Sequence, residues 1–357
     1  MSMDAFSSGP PLPLFIDTDM GVDDAVAVAW LLAQPSARIV GFSTVFGNAT
    51  VEHVTANLLT LLDTAERQIP ATIGAAVPLV FPPYNAGALA HGPDGFWGAQ
   101  APHNLRDLPR DAPAALAAAA RATPGLTILA LGPCTNLALA AQRYPEALAG
   151  VRVIALGGAR HGGNTTPLAE FNVYADPHAL AIVLDSSLQV ELVMRDAFDQ
   201  VEVDAARFVE RLGDAGGPVG QLLARVLAPY CRMAALGGDA PTIPDAAAAI
   251  YALRRDLGTA TSALVQVVTD EGYARGLTIV ADSLAYRVTL IAGPSEISEL
   301  ALRFTAPGFD LEAAIADILQ RRPDNARVVL DVDGREMARL LEQTLVDEAI
   351  QVRVVGQ

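Results

Sequence analysis

Residues 12–24 read LPLFIDTDMGVDD, and this stretch decides the fold. The apolar run LPLFID (12–17) is short and continuous, as in a parallel strand buried on both faces. Four carboxylates, Asp17, Asp19, Asp23 and Asp24, then crowd into eight positions. Like charges this close repel, and carboxylates at a strand end are costly to desolvate. Residues 23–34, DDAVAVAWLLAQ, read as a helix closed by Pro35. Asp23 and Asp24 fall in its first turn, where the helix dipole favours negative charge.

The strand-then-helix pattern repeats outward from this unit. Strands are predicted at 37–45, 126–132, 151–158 and 188–194, and helices at 51–66, 135–148 and 176–185. From about 200 to 257 the pattern is mostly helical, and strand-like runs return at 277–280 and 328–332. This alternation predicts an α/β fold, a single domain around a mixed, mostly parallel sheet of Rossmann-like kind. Residues 1–11 read as a flexible tail and 12–357 as the domain. In such sheets the ligand crevice lies beyond the C-terminal ends of the strands. The strand-to-helix turns IDTDMGVDD, STVFGNAT, LGPCTN and LGGARHGGNTTPLAEFN are dense in Gly, Asp, Asn and Thr, which places the site there. The long Pro- and Gly-rich segment 78–104 reads as a functional loop.

Composition excludes several function classes. Of 357 residues, 52% are hydrophobic, enough for a sizeable core. The net charge is −16, and all 24 basic residues are arginine with no basic cluster, so nucleic acid is not an expected partner. Two cysteines, Cys134 and Cys231, form no disulfide framework and fit a reducing cytoplasm. The start, MSMDAFSSGPPLPLF, lacks a basic n-region and a long apolar core, so no signal peptide is expected. The Ala-rich runs are too short to span a bilayer, so no membrane partner is expected.

A hard cation is the physical answer to the crowded acids. Magnesium and calcium take oxygen ligands, whereas the five scattered histidines have no zinc spacing. Blander readings exist for each residue. Acids at a helix start serve as caps, Asn48 and Asn164 sit in Gly turns that favour left-handed Asn, and Thr135 reads as an N-cap. Glu170 and Asn172 flank Phe171, so on an extended segment they would share one face.

DTDMGVDDAVAV resembles the N-terminal signature of the inosine-uridine type nucleoside hydrolases, with Met20 where the family usually has Pro. VFGNAT, AHGPDGFWG, LGPCTNLALA, LGGARHGGNTTPLAEFNVYADPHAL, RGLTIVAD and VVLDVDG resemble later family motifs in order and spacing. The resemblance spans residues 13 to 340. It implies hydrolysis of the N-glycosidic bond of ribonucleosides to ribose and free base, with one bound Ca2+. It implies that Asp19, Asp24, the Thr135 carbonyl and Asp245 hold the ion, and that Asp19 is also the base for the attacking water. Asp23, Asn48, Glu170 and Asn172 would bind ribose hydroxyls, Asn164 the 5′-hydroxyl, and Asp17 would orient the others. A homodimer or homotetramer is implied as well. Direct attack by one water on an oxocarbenium-like centre implies inversion.

One departure matters. Many members carry a leaving-group His before the last metal-binding Asp, but here Pro244 precedes Asp245, and no His follows His178. His91 is the expected replacement acid, with Tyr230 a weaker candidate, and Phe96, Trp97 and Tyr230 are candidate stacking faces. Pro244 also raises an alternative, a catalytically weak nucleoside- or ribose-binding homologue. A haloacid-dehalogenase-type phosphohydrolase is disfavoured, because Gly21 stands where that family wants Thr or Val and the chain has no lysine.

Overall fold

The computed structural model describes residues 9–85, 87–215, 217–237 and 241–347; most of the expected N-terminal tail, residues 1–8, lies outside them. LPLFIDT forms β1 (Leu12–Thr18). It is followed by β2 (Ala37–Thr44), β3 (Ala71–Ile73), β4 (Thr127–Ala130), β5 (Arg152–Leu156) and β6 (Gln189–Val193). The last strands are β7 (Gly258–Val267), β8 (Thr278–Ala281) and β9 (Ala326–Val332). They make one sheet in the order β3-β2-β1-β4-β5-β6-β9-β7-β8. Pairing is parallel from β3 through β9, and β7 runs antiparallel to both β9 and β8.

Side chains alternate between the faces of a strand, and here both faces are covered. Leu14 and Ile16 of β1 pack into one hydrophobic core, while Phe15 packs into the other. The same split places Leu129 and Ile154 on the first side, and Ile128, Val153 and Ala155 on the second. This explains why the central strands read as unbroken apolar runs. The first core is closed by the helices Val22–Leu32 and Pro244–Leu253, which pack against each other. Both are rich in alanine, so their backbones can approach closely. That contact carries Asp23 and Asp24 toward Asp245, more than two hundred positions later.

One expectation is corrected, and three further elements lie where the sequence reading placed none. The helix read over 135–148 breaks into Thr135–Arg143 and Pro145–Leu148. Tyr144 adopts φ −135°, because Pro145 disfavours a helical predecessor. β7 was not foreseen, since GTATSALVQV offers little apolar alternation and its first half is a mix of half-buried and exposed residues. The helices Leu284–Arg303 and Leu311–Arg321 were not foreseen either; the first is kinked at Gly293 (φ 74°) before Pro294. Among the described residues no helix is long and apolar enough to cross a membrane.

Candidate active site

The carboxyl ends of β1, β4 and β5 converge on the acids. Asp17, the sixth residue of β1, pairs in register with Ser43 and Ala130. Its Oδ1 accepts from Ser43 Oγ (2.5 Å) and Asn136 Nδ2 (2.8 Å). Burial nonetheless pushes its pKa up to about 7. Asp19 lies in a slot between two backbone segments. A Cβ on Gly47 would fall 2.0 Å from Asp19 Oδ2, and one on Gly132 would fall 2.8 Å from Oδ1. Close approach therefore requires both glycines, and Gly132 is more than a turn residue. Asn48 N–H donates to Asp19 Oδ2 at 2.9 Å.

Asp24 caps its own helix as expected. It accepts from Gly21 N–H (2.8 Å), Thr18 Oγ1 (2.5 Å) and Asn48 Nδ2 (3.1 Å). Capping does not account for the rest of the group. One oxygen each of Asp23, Asp24 and Asp245 lies within 4.8 Å of the others, and all three residues are buried. Oδ1 of Asp23 and Oδ1 of Asp245 are buried without a hydrogen-bond partner. Burial, then Asp23, raises the pKa of Asp24 to about 7. Burial, then Asp24 and Asp23, raises Asp19 well above the carboxylate range, and burial, Asp23 and Asp24 do the same to Asp245. Buried acids that repel one another and expose unpartnered oxygens fit a hard divalent cation. Sequence reading assigned Asp19 and Asp24 to the ion and Asp23 to sugar. The geometry brings Asp23 into the three-acid group and leaves Asp19 beside it.

The sugar-side candidates divide. Asn48 and Asn164 line the main cavity. Neither has a positive φ, so the left-handed reading of these residues fails. Asn164 Oδ1 accepts from Phe171 N–H at 2.9 Å. Glu170 and Asn172 do not share an extended face, because Glu170 is the N-cap of the helix Phe171–Ala175. Glu170 accepts from the N–H groups of Asn172 (3.0 Å), Gly158 (2.9 Å) and Val173 (3.2 Å). Burial still raises its pKa to about 7. Asn172 Nδ2 donates to the carbonyls of Leu131 (2.6 Å) and Leu156 (3.1 Å), tying together the ends of β4 and β5.

Thr135 is buried and is not the cap; Cys134 holds that position. Its hydroxyl donates to Asp176 Oδ2 at 2.7 Å, and Leu79 N–H donates to the same oxygen at 3.0 Å. Asp176 thus joins the 131–135 turn to the long loop. The loop is pinned again by Arg275, whose guanidinium stands 3.8 Å from the Phe81 ring centroid and 4.5 Å from that of Tyr174. Sequence reading missed both residues. Each sits inside a quoted motif, and only tertiary contact reveals its task.

A cavity of about 590 Å³ is bordered by Asn48, His91 and Pro244, which adjoin the acids. One wall comes from the long loop (Tyr84, Leu89, Ala90, His91), one from Tyr230, Ala234, Thr242 and Pro244, and one from Arg195, Phe198, Asp199 and Glu202. The third wall was not foreseen. It follows the carboxyl end of β6, which the crevice rule could have flagged. An isolated bridge between Glu202 and Thr242 seats it next to Pro244. His91 Nδ1 accepts from Val22 N–H at 3.1 Å and lies 3.6 Å from Asp23 Oδ1. The neutral ring therefore carries its proton on Nε2. Burial lowers the His91 pKa, and Asp23 opposes that. Phe96 is fully buried in the core, and Trp97 donates its Nε1–H to Ala90 O at 3.0 Å, so both are packing residues.

The whole arrangement is similar to known proteins. A plant nucleoside hydrolase matches with a TM-score of 0.78 and 27% identity, covering 94% of this chain and 99% of that one. A purine-preferring ribonucleoside hydrolase from Gardnerella vaginalis shares the fold with a TM-score of 0.77 at 21% identity, covering 95% of this chain and 99% of its own. The non-specific ribonucleoside hydrolase RihC of Escherichia coli (strain SMS-3-5 / SECEC) is 36% identical over 273 residues, 75% of this chain and 88% of that protein. Hydrolase relatives of this kind do not favour the binding-only alternative. The family model for inosine-uridine preferring nucleoside hydrolases matches residues 14–339, and the chain belongs to that family of N-glycosidases.

Proposed function

We propose that this protein hydrolyses the N-glycosidic bond of ribonucleosides, releasing ribose and a free base, with Ca2+ as its ion. The observation that carries the reading is the buried group Asp23, Asp24 and Asp245, with two carboxylate oxygens left unpartnered. These three, with Asp19 and the Thr135 carbonyl, are the oxygen donors we assign to the ion. When bound, the ion offsets their repulsion and offers coordination to a vicinal diol and a water.

The chain's own groups do the rest. Asp19, braced at Oδ2 by the Asn48 amide, accepts the proton of the attacking water. Asp23, Asn48, Glu170 and Asn172 hold ribose hydroxyls, and Asn164 the 5′-hydroxyl. Asp17 orients them from behind through Ser43 and Asn136. Carboxylates around the sugar stabilise the positive charge that builds as the base departs. His91 faces the base. Its Nδ1 is engaged by Val22, so we assign Nε2–H as a hydrogen-bond donor to the base rather than a cationic acid. We further propose a dimeric or tetrameric assembly, which sedimentation would read.

The test is ribose release from inosine, uridine, cytidine and adenosine. Chelated protein should be inactive, and Ca2+ should restore release. Proton NMR of the first-formed ribose should show the inverted anomer. Full activity in chelator would reject the ion, and a retained anomer would reject direct attack.

A further inference from the structure

We propose that this site prefers ribonucleosides whose base carries a fixed positive charge on the ring bonded to ribose, such as N-ribosylpyridiniums and N7-alkylated purine ribosides. The inference rests on the hydrolase reading above and names its substrate class.

Three observations converge on it. The first is a missing proton donor. Pro244 begins the helix that carries Asp245, and it lines the cavity. Its side chain has no proton to give. His91, on the opposite wall, has Nδ1 committed to Val22 N–H, and the Tyr230 hydroxyl, the other candidate, donates to the Thr242 carbonyl at 3.3 Å. The second is charge. Glu202 lines the cavity, is exposed, and makes no ion pair among the described residues. Arg195 is the only cationic side chain among the described lining residues, and it is tied to the Gly163 carbonyl and to Asp199 Oδ2 (2.9 Å). Asn48, His91 and Pro244 join the cavity to Asp19, Asp23, Asp24 and Asp245, four carboxylates against the two charges of one divalent ion. The third is aromatic surface. Tyr84, Phe171 and Tyr230 line the same cavity, with the Tyr230 ring centroid 5.3 Å from that of His91. Aromatic faces beside a carboxylate are the usual receptor for a quaternised nitrogen.

The chemistry then balances without a general acid. The water oxygen bonds to C1′ and gives one proton to Asp19, which passes it to solvent. The C1′–N bond breaks, and its electron pair moves to the ring nitrogen. A neutral base would leave as an anion and require a proton. A quaternised ring takes the pair, loses its formal charge and departs neutral.

The experiment compares kcat/KM for nicotinamide riboside, a pyridinium riboside, with inosine and uridine, using the Ca2+-loaded enzyme. The pyridinium riboside should exceed both neutral substrates by about tenfold or more, in line with removal of the need for a general acid. Glu202→Gln should cut that ratio by about fivefold, the effect of one contact charge in water, and Glu202→Arg should cut it further. Raising the salt should raise KM for the cation more than for inosine. Neutral nucleosides cleaved as well as or better than the cation would overturn this inference alone. So would a ratio indifferent to Glu202 and to salt. Ribose release from no nucleoside at all would remove the hydrolase reading, and this one with it.

Discussion

The carboxyl ends of β1, β4 and β5 and the outer edge around β8 handle charge in opposite ways. At the strand ends, Asp17, Asp19, Asp23, Asp24, Glu170 and Asp245 are buried with no arginine in ion-pair contact among the described residues. At the outer edge, acids meet arginines in the open: Arg321 with Glu296 (2.9 Å) and Arg303 with Glu299 (3.1 Å). The edge pairs are screened by water and hold little energy. The buried acids are expensive to keep ionised, and that cost is what a bound cation would relieve. Function here is stored as destabilisation of the unliganded fold, while the edge is close to neutral.

Removing one acid tests this contrast most strongly. Asp245→Asn should lower ribose release about a thousandfold, because an ion contributes several kcal/mol to such a transition state. The same variant, chelated, should melt several degrees above chelated wild type, since a repelling charge is gone. Calorimetry with and without Ca2+ reads both halves: the variant should also lose the Ca2+-induced rise in Tm. A chelated variant less stable than wild type would mean the acids are not in conflict.

The second effect is on pH. Asp17 and Asp24 sit at about 7, raised from 3.8, and Glu170 at about 7, raised from 4.5, all chiefly by burial. Between these limits the folded state binds more protons than the unfolded one, so stability falls as pH rises. The benefit is complete below about pH 4 and gone above about pH 7. Chelated protein should therefore lose Tm steadily across that window, while the added stabilisation by Ca2+ grows over it. A flat or rising Tm in chelator would contradict the burial of these acids as ionisable groups.

Smaller still is the effect of an acid that works through others. Asp176→Asn keeps the shape but weakens acceptance from Thr135 Oγ1 and Leu79 N–H. Groups that orient ligands in this way cost about 10- to 100-fold in ion affinity or activity when altered. The loss should appear as a raised Ca2+ requirement, and excess Ca2+ should recover much of the turnover. Loss that no Ca2+ concentration recovers would assign Asp176 to the loop alone.

The contrast also explains what the sequence could and could not reveal. β1 and its acid turn were legible because a strand buried on both faces must be a continuous apolar run. Acids after such a run have few purposes. Asp245 was placed by resemblance only, since nothing local in TIPDAAAAIY announces a ligand. The buried pairing of two alanine-rich helices is what brings it to Asp23. Thr135 yields the cap to Cys134, because a cap depends on where a helix begins by one residue, and Glu170 caps a short helix where an extended segment was expected. The cavity wall at Arg195, Phe198 and Glu202 was hidden for another reason. It meets the Pro244 wall at a bridge between Glu202 and Thr242, a contact with no local pattern. β7 escaped because an edge-side antiparallel strand is half exposed, and its Gly, Thr and Ser residues carry no alternation.

The smallest expected effect lies at the outer edge. Arg303 and Glu299 are one helical turn apart, with side chains 59% and 66% exposed. In water their attraction is offset by the entropy of holding two long side chains together. Glu299→Gln should shift Tm by no more than about 1 °C. Ribose release should not change, because no part of this pair faces the cavity. The measurement is sharpest at the protein concentration where assembly is complete. Leu302 and Phe304, beside the pair, are 82% and 58% exposed in the single chain. If a second copy covered that face, the pair would be desolvated, and its loss would cost several degrees rather than one. A concentration-dependent drop in Tm for this variant would therefore turn the quiet edge into an interface and break the contrast with the acid-lined end.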